Sequence, residues 1–154
     1  MNPTIRPTIR PGTNAEIPAV HALIVELAVF EREPDAVSNT IEMMLQDGFG
    51  DRPIFGFLVA ETEGRIVGAS IYYYRYSTWK GKRLYLEDLI VTEHMRGKGI
   101  GQLLFEETVR IAKSEKCTGM MWQVLDWNQP AIDFYKKYDA RFDEGWVNCH
   151  LDFT

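Results

Sequence analysis

A mixed α/β fold is predicted by three features of the sequence. Four segments carry apolar residues at helical spacing, six carry alternating or β-rich runs, and glycine, proline, asparagine and aspartate punctuate the joins. In order, the elements read as strand, two helices, three strands, helix, strand, helix, strand, which implies a mixed sheet with helices on its faces. The first strand falls in "TIRPTIR", from Thr4 to Arg10. Thr13 with Glu16 three residues on forms a capping box, and Ile17, Val20, Ile24 and Leu27 then give one buried helical face running to Phe30. Pro18 is tolerated because it lies near the first turn. A second helix is expected from Ser38 to Asp47, stopped by Gly48. "FGFLVAE" and "RIVGASIYYYRY", joined by "TEGR", predict an antiparallel hairpin, and "RLYLEDLIV" a further strand, apolar except for Glu87 and Asp88. A helix beginning in the glycine segment should end near Lys116, followed by the strand "GMMWQVL". Asn128 and Pro130 open the last helix, and "EGWVNCHLDF", Glu144 to Phe153, closes the chain as a strand.

A chain of 154 residues with 45% hydrophobic and 25% charged residues is expected to form one soluble domain, 1–154. The N-terminal stretch has no signal-peptide apolar core and the apolar runs are short, so a cytoplasmic location with no membrane span is expected. Cys117 and Cys149 are too few for a disulfide framework, and no Cys/His pattern suggests a metal. The net charge of −5 argues against nucleic acid as a partner and fits a cationic one.

The segment "EHMRGKGIGQLLFEETV" places Gly97, Gly99 and Gly101 directly before an amphipathic helix. Unpaired N–H groups and the positive end of the helix dipole make such a start a phosphate cradle, although a tight turn alone would also use glycine. The Walker pattern needs Ser or Thr after its Gly-Lys, but Gly99 follows Lys98; the Rossmann pattern needs its third glycine one position beyond Gly101. Neither nucleotide reading holds.

"RGKGIG", preceded by "YLEDLIV" and followed about thirty residues later by "WNQPAIDFYKK", resembles the acyl-CoA signature of the GNAT N-acetyltransferase superfamily. The segments "ELAVFE", "LQDGFGDRP", "DWNQPAIDFYKK" and "DEGW" extend the likeness to the diamine acetyltransferases, the spermidine/spermine and thialysine acetylating group. The resemblance covers nearly the whole chain. It implies the GNAT fold, a central twisted mixed sheet of about six to seven strands flanked by about four helices. It also implies acetyl-CoA as cosubstrate, no metal, a small amine as acceptor, and a homodimer in which the last strand takes part. Carried over residue by residue, Leu89, Ile90 and Val91 would meet the pantetheine arm. Arg96, Gly97, Lys98, Gly99, Ile100, Gly101 and Gln102 would hold the pyrophosphate, and Asn128 and Tyr135 would lie beside the thioester.

Acetyl transfer to an amine needs a free lone pair and a proton for the departing thiolate; an alkyl ammonium has a pKa of about 10.4 and a thiol about 8.5. Glu87 suits the base, directly or through water, because desolvation in an apolar strand would raise its pKa. The residues alone favour a structural carboxylate, held by backbone or by a neighbouring cation. The resemblance makes Tyr135 the proton donor, where helical spacing alone suggests a packing tyrosine. It further assigns Phe30, Glu31, Trp79, Glu87, Glu144 and Trp146 to the acceptor site, with the aromatics as walls for an alkyl ammonium chain. Tyr72, Tyr74 and Tyr76 share one strand face, and Tyr73 and Arg75 the other.

The chain departs from the family pattern in two places. Ser77 and Thr78 precede Trp79, where polyamine-acetylating members carry an acidic residue and proline, and Asp139 replaces a glycine after the last helix. Aspartate tolerates the left-handed conformation, so that turn should survive. Acetyl transfer to a small amine by direct transfer in a ternary complex is the leading reading. Acetylation of a protein N-terminus or lysine, and a CoA-binding sensor without turnover, are the alternatives.

Overall fold

Residues 6–153 are described by the computed structural model, so Thr4 and Ile5 of the expected first strand lie outside them. The chain divides into two units, Met1–Gln123 and Val124–Thr154. In the first, β1 (Thr8–Pro11), β2 (Gly56–Thr62), β3 (Arg65–Ser77), β4 (Gly81–Val91) and β5 (Met120–Trp122) form one sheet in sequence order. Neighbours from β1 to β4 are antiparallel, whereas β5 runs parallel to β4. A parallel partner needs a crossover, and α3 (Ile100–Ser114) supplies it.

The sheet is covered on both faces. On one, Ile17, Val20 and Leu23 of α1 (Ile17–Phe30) and Met44 of α2 (Ile41–Phe49) pack against Phe57, Val59, Ala69, Ile71 and Ile90. On the other, Ile100 and Leu104 of α3 pack against Leu58, Ala60 and Val67. Gly68 permits the close approach of α3: a Cβ there would stand 2.8 Å from the Ile90 carbonyl oxygen and 3.0 Å from Leu104. The buried Ser70 and Thr108 hydroxyls meet at 2.7 Å across the same contact. Because Thr108 donates its proton to the Leu104 carbonyl, Ser70 is the donor of that pair.

Local chemistry explains the element boundaries. The Thr13–Glu16 capping box is present, on a single 3₁₀ turn that leads into α1, and Glu16 also accepts from Arg10 at 2.7 Å. Arg10 reaches Glu61 at 3.0 Å as well, which ties β1, β2 and the helix start together. α2 begins later than expected because Thr40, whose hydroxyl accepts from Met43 N–H, is its cap. Gly48 does not stop α2; it lies inside the helix, where a Cβ would stand 2.7 Å from the Phe55 ring, and Gly50 is the C-cap. The β2–β3 hairpin turns through Glu63 and Gly64, both at positive φ, the geometry that matches strand twist.

The second unit contains α4 (Gln129–Lys136), opened by the Asn128 side chain accepting from Ala131 N–H at 3.3 Å. Asp139 takes φ 57°, so the turn that relatives make with glycine survives. Among the described residues the sheet has five strands, a rough match to the six to seven expected. The shortfall lies in Glu144–Phe153, which forms no strand and is exposed throughout. Its alternating pattern satisfies the side-chain requirement for a strand, but a strand also needs a neighbour for its N–H and C=O groups.

Candidate active site

The site begins where the sheet opens. β4 and β5 pair at Leu84/Met120, Tyr85/Met121 and Leu86/Trp122, and among the described residues no strand pairs with β4 on that side from there to Val91. Its other side stays paired to β3, with Leu89 opposite Ser70, Ile90 opposite Ala69 and Val91 opposite Gly68. The β5-facing edge past Leu86 can therefore bond an extended ligand arm, short of the Val91 carbonyl, which accepts from Arg96 Nε at 3.0 Å. At the same point the β3–β4 register slips, with Ile71 opposite Asp88 and Tyr72 opposite Leu86. Glu87 is the extra residue of this bulge, and bulges re-aim side chains.

The bulge corrects the reading of the acidic pair. Glu87 is exposed rather than enclosed by the apolar strand around it. Asp88 is the carboxyl turned inward. Burial, with added repulsion from Glu87 and Glu31, pushes its pKa up to about 7 from an ordinary 3.8. Asp88 lines a cavity of about 290 Å³ with Ile24, Leu27, Ala28 and Glu31 of α1 and its C-cap, and Glu33, Ala36 and Val37 beyond. Burial raises the Glu31 carboxyl too. The cavity thus sets three carboxyl groups on aliphatic walls, a surface suited to the ammonium and methylenes of an alkyl amine. Glu31 was expected here. Asp88 and Glu33 were not, although Glu31 at helical spacing from Ile24, Leu27 and Ala28 was a signal that a carboxylate shares their face.

The glycine segment follows β4 directly. Gly97 and Gly99 take φ 76° and 81°, and each has open space where a Cβ would stand. Gly101 is ordinary helix, in contact range of Val91. Gly99 is the N-cap of α3, and the first helical bond runs from Leu103 N–H to the Gly99 carbonyl at 3.1 Å. The N–H groups of Ile100, Gly101 and Gln102 thus precede the helical ladder. Side chains cap α2 and α4, but a glycine cap contributes none. An anionic group fits this start on charge, donors and space, as the pyrophosphate of CoA requires. Lys98 is exposed nearby, while Gln102 turns away to donate to Glu106 at 3.0 Å. Arg96 is engaged by the protein itself: its Nε donates to the Val91 carbonyl at 3.0 Å and its guanidinium lies 4.8 Å from the Phe30 ring centroid.

Two other expected acceptor residues of the first unit, Phe30 and Trp79, are not among those lining this cavity. Phe30 is not a wall of the cavity; the cation on its ring is Arg96. Trp79 is 85% exposed in the β3–β4 connection, where its N–H donates to the Ser77 hydroxyl. Ser77 is six strand residues beyond Ile71, the partner of Asp88, which separates Trp79 from the cavity by roughly 20 Å along the sheet. Tyr72 and Tyr74 do share a face, with ring centroids 6.2 Å apart, while Tyr73 stacks on Tyr85 at 5.1 Å.

In the second unit Tyr135 is 8% exposed, edge-on to Phe134. Asn128 spends its side-chain oxygen on the helix cap. Glu144 is exposed, and the Trp146 indole donates to Asp143 at 3.0 Å. Among the described residues no group of three or more His, Cys, Asp or Glu is placed to hold a metal, and no helix is long and apolar enough to cross a membrane.

Comparison with known proteins agrees with this geometry. The acetyltransferase (GNAT) family matches residues 19–139. A thialysine N-epsilon-acetyltransferase of Bos taurus is 37% identical over 149 residues, covering 90% of this chain and 88% of that protein. The human spermidine/spermine N(1)-acetyltransferase-like protein 1 is 38% identical over 148 residues, 90% of this chain but 21% of its own longer sequence. Among solved structures, an aminoglycoside acetyltransferase from an uncultured soil sample superposes with a TM-score of 0.77 at 19% identity, covering 96% of this chain and 97% of that one, a likeness of fold. The chain therefore belongs to the GNAT family and is an N-acetyltransferase with acetyl-CoA as donor.

Proposed function

We propose that this acetyltransferase acts on a primary amine of a small diamine, polyamine or thialysine-like substrate, by direct transfer in a ternary complex. The observation that carries the reading is the cavity of about 290 Å³ in which Glu31 and Asp88 face aliphatic walls beside the β5-facing edge of β4. A distal ammonium would be held there by charge, and its methylenes by Ile24, Leu27 and Val37. The names of the thialysine and spermidine/spermine relatives support the same acceptor class.

In this reading acetyl-CoA supplies an activated acetyl thioester, held by the β4 edge and by the loop from Arg96 to Gln102. The backbone of the loop does most of the holding, because the Arg96 and Gln102 side chains have partners in the protein. Glu87, exposed on the bulge, takes a proton from the acceptor ammonium, directly or through water. Tyr135 is assigned the return of a proton to the thiolate by resemblance. Asp88 and Glu31 bind and orient. A second reading gives Asp88 the base role, because a carboxyl near 7 in the cavity wall suits a general base. Glu87→Gln against Asp88→Asn separates the two: the base variant loses kcat, while the binding variant raises the amine KM.

Both units are taken to serve one domain, since the family match runs across the boundary at Gln123. A cytoplasmic homodimer completes the reading. It is supported by Val147, Leu151 and Phe153, which alternate along the last segment at 86, 81 and 90% exposure, and light scattering tests it. The substrate is tested by thiol release from acetyl-CoA across diamines, polyamines, thialysine, lysine and short peptides. Turnover confined to peptides would replace the small-amine acceptor with a protein one.

A further inference from the structure

We infer that Glu26 is a positioning residue for the donor loop, holding the chain between β4 and α3 in register against α1. The inference rests on the reading of that loop as the CoA site. Glu26 Oε1 accepts from Glu93 N–H at 2.8 Å and from the Thr92 hydroxyl at 3.1 Å, while Oε2 lies 3.0 Å from the same hydroxyl. Thr92 and Glu93 open the single 3₁₀ turn Glu93–Met95, and Thr92 contributes no side-chain cap of its own. The carboxylate from α1 is therefore the cap of that turn, supplied across 67 residues of chain. The turn ends at Arg96, immediately before Gly97.

A second contact from the same helix face closes the grip. Phe30 lies one helical turn beyond Glu26, and its ring carries the Arg96 guanidinium at 4.8 Å. Glu26 and Phe30 thus hold both ends of the segment from Thr92 to Arg96. Gly97 and Gly99 supply no side chains to restrain the approach to α3, and nothing lies within 4 Å of where their Cβ atoms would be. The loop's placement comes from its root, and the root is held by α1. The core stripe Ile17, Val20 and Leu23 is flanked on one side by Glu26 and Phe30. Ile24, Ala28 and Glu31, which line the acidic cavity, flank it on the other. One helix therefore sets both the donor loop and the acceptor cavity.

The test is CoA affinity, measured by calorimetry on the full chain, with kcat and both KM values beside it. Glu26→Ala should raise the CoA dissociation constant and the acetyl-CoA KM about ten-fold, through loss of charge-assisted hydrogen bonds. The amine KM and the kcat at saturating acetyl-CoA should stay within about two-fold of the parent. Glu26→Gln keeps an oxygen at the Oε1 position and should restore CoA affinity to within about three-fold of the parent. Equal CoA affinity in parent and folded Glu26→Ala overturns the inference, as does a loss confined to kcat. Should Glu26→Ala fail to fold, Thr92→Val decides: a weakened CoA affinity supports the inference and an unchanged one overturns it. A parent protein that binds no CoA removes the loop assignment itself, and the inference with it.

Discussion

Replacing Asp88 by Asn should make the folded protein more stable as the pH rises, and the size of the gain comes from the site. The Asp88 carboxyl is held at about 7 in the folded chain against 3.8 when free. The folded state therefore binds this proton more tightly than the unfolded state, and stability falls as the pH climbs from about 4 through 7, then levels off. At 1.36 kcal/mol for each pH unit between the two values, charging Asp88 costs the fold about 2 kcal/mol at pH 5 and about 4 kcal/mol at pH 8. Asparagine keeps the shape and carries no charge, so its advantage over aspartate should grow by about 2 to 3 kcal/mol across that interval. Urea unfolding of both proteins at the two pH values measures it. Any fixed cost of the amide cancels in the comparison, and a stability difference that does not change between pH 5 and pH 8 would overturn this account of Asp88. The parent tolerates this penalty for a reason the same variant exposes: a cation in the cavity should stabilise the ionised carboxylate and bind more tightly above pH 7, and Asp88→Asn should abolish that dependence.

Three other perturbations probe separate parts of the molecule. Gly99→Asp puts a charged side chain at a left-handed N-cap and should raise the CoA dissociation constant at least ten-fold by calorimetry, with the sheet intact by circular dichroism. Gly68→Ala drives a methyl to 2.8 Å from the Ile90 carbonyl, so it should cost about 1 to 3 kcal/mol in urea unfolding and weaken CoA binding by shifting α3. Tyr135→Phe removes only a hydroxyl from a residue 8% exposed; kcat should fall about a hundred-fold with little change in either KM, and an unchanged kcat would remove the proton-donor assignment.

The elements that sequence resolves well are those fixed by local chemistry. The Thr13–Glu16 box and the positive-φ turn at Glu63 and Gly64 depend on residues next to one another, and both are present in the fold. The left-handed Asp139 belongs with them, because one residue's tolerance for that conformation was the whole question. Gly48 marks the limit of local chemistry. A glycine near a helix end reads as a stop, yet here the Phe55 ring, brought up by the chain leading into β2, is what excludes a side chain.

Which carboxyl of the acidic pair of β4 is buried was not legible, for a related reason. Strand alternation assigns faces by counting, and a bulge resets the count without any glycine or proline to announce it. The register slip opposite Ile71 and Tyr72 decides which carboxyl is buried, and that slip arises between strands rather than within one. Arg96 is the converse case. Its place in the loop was legible, but the use of its side chain depends on Phe30, 66 residues earlier, and no spacing rule links the two. What separates the readable parts of this site from the unreadable ones is thus whether a residue's partner sits in its own element. The left-handed glycines and the helix start they lead into are neighbours in one segment, so that approach was legible from the spacing of its glycines, although what holds the loop in place was not. The acidic cavity, built where α1 and its following loop meet β4, had to be seen.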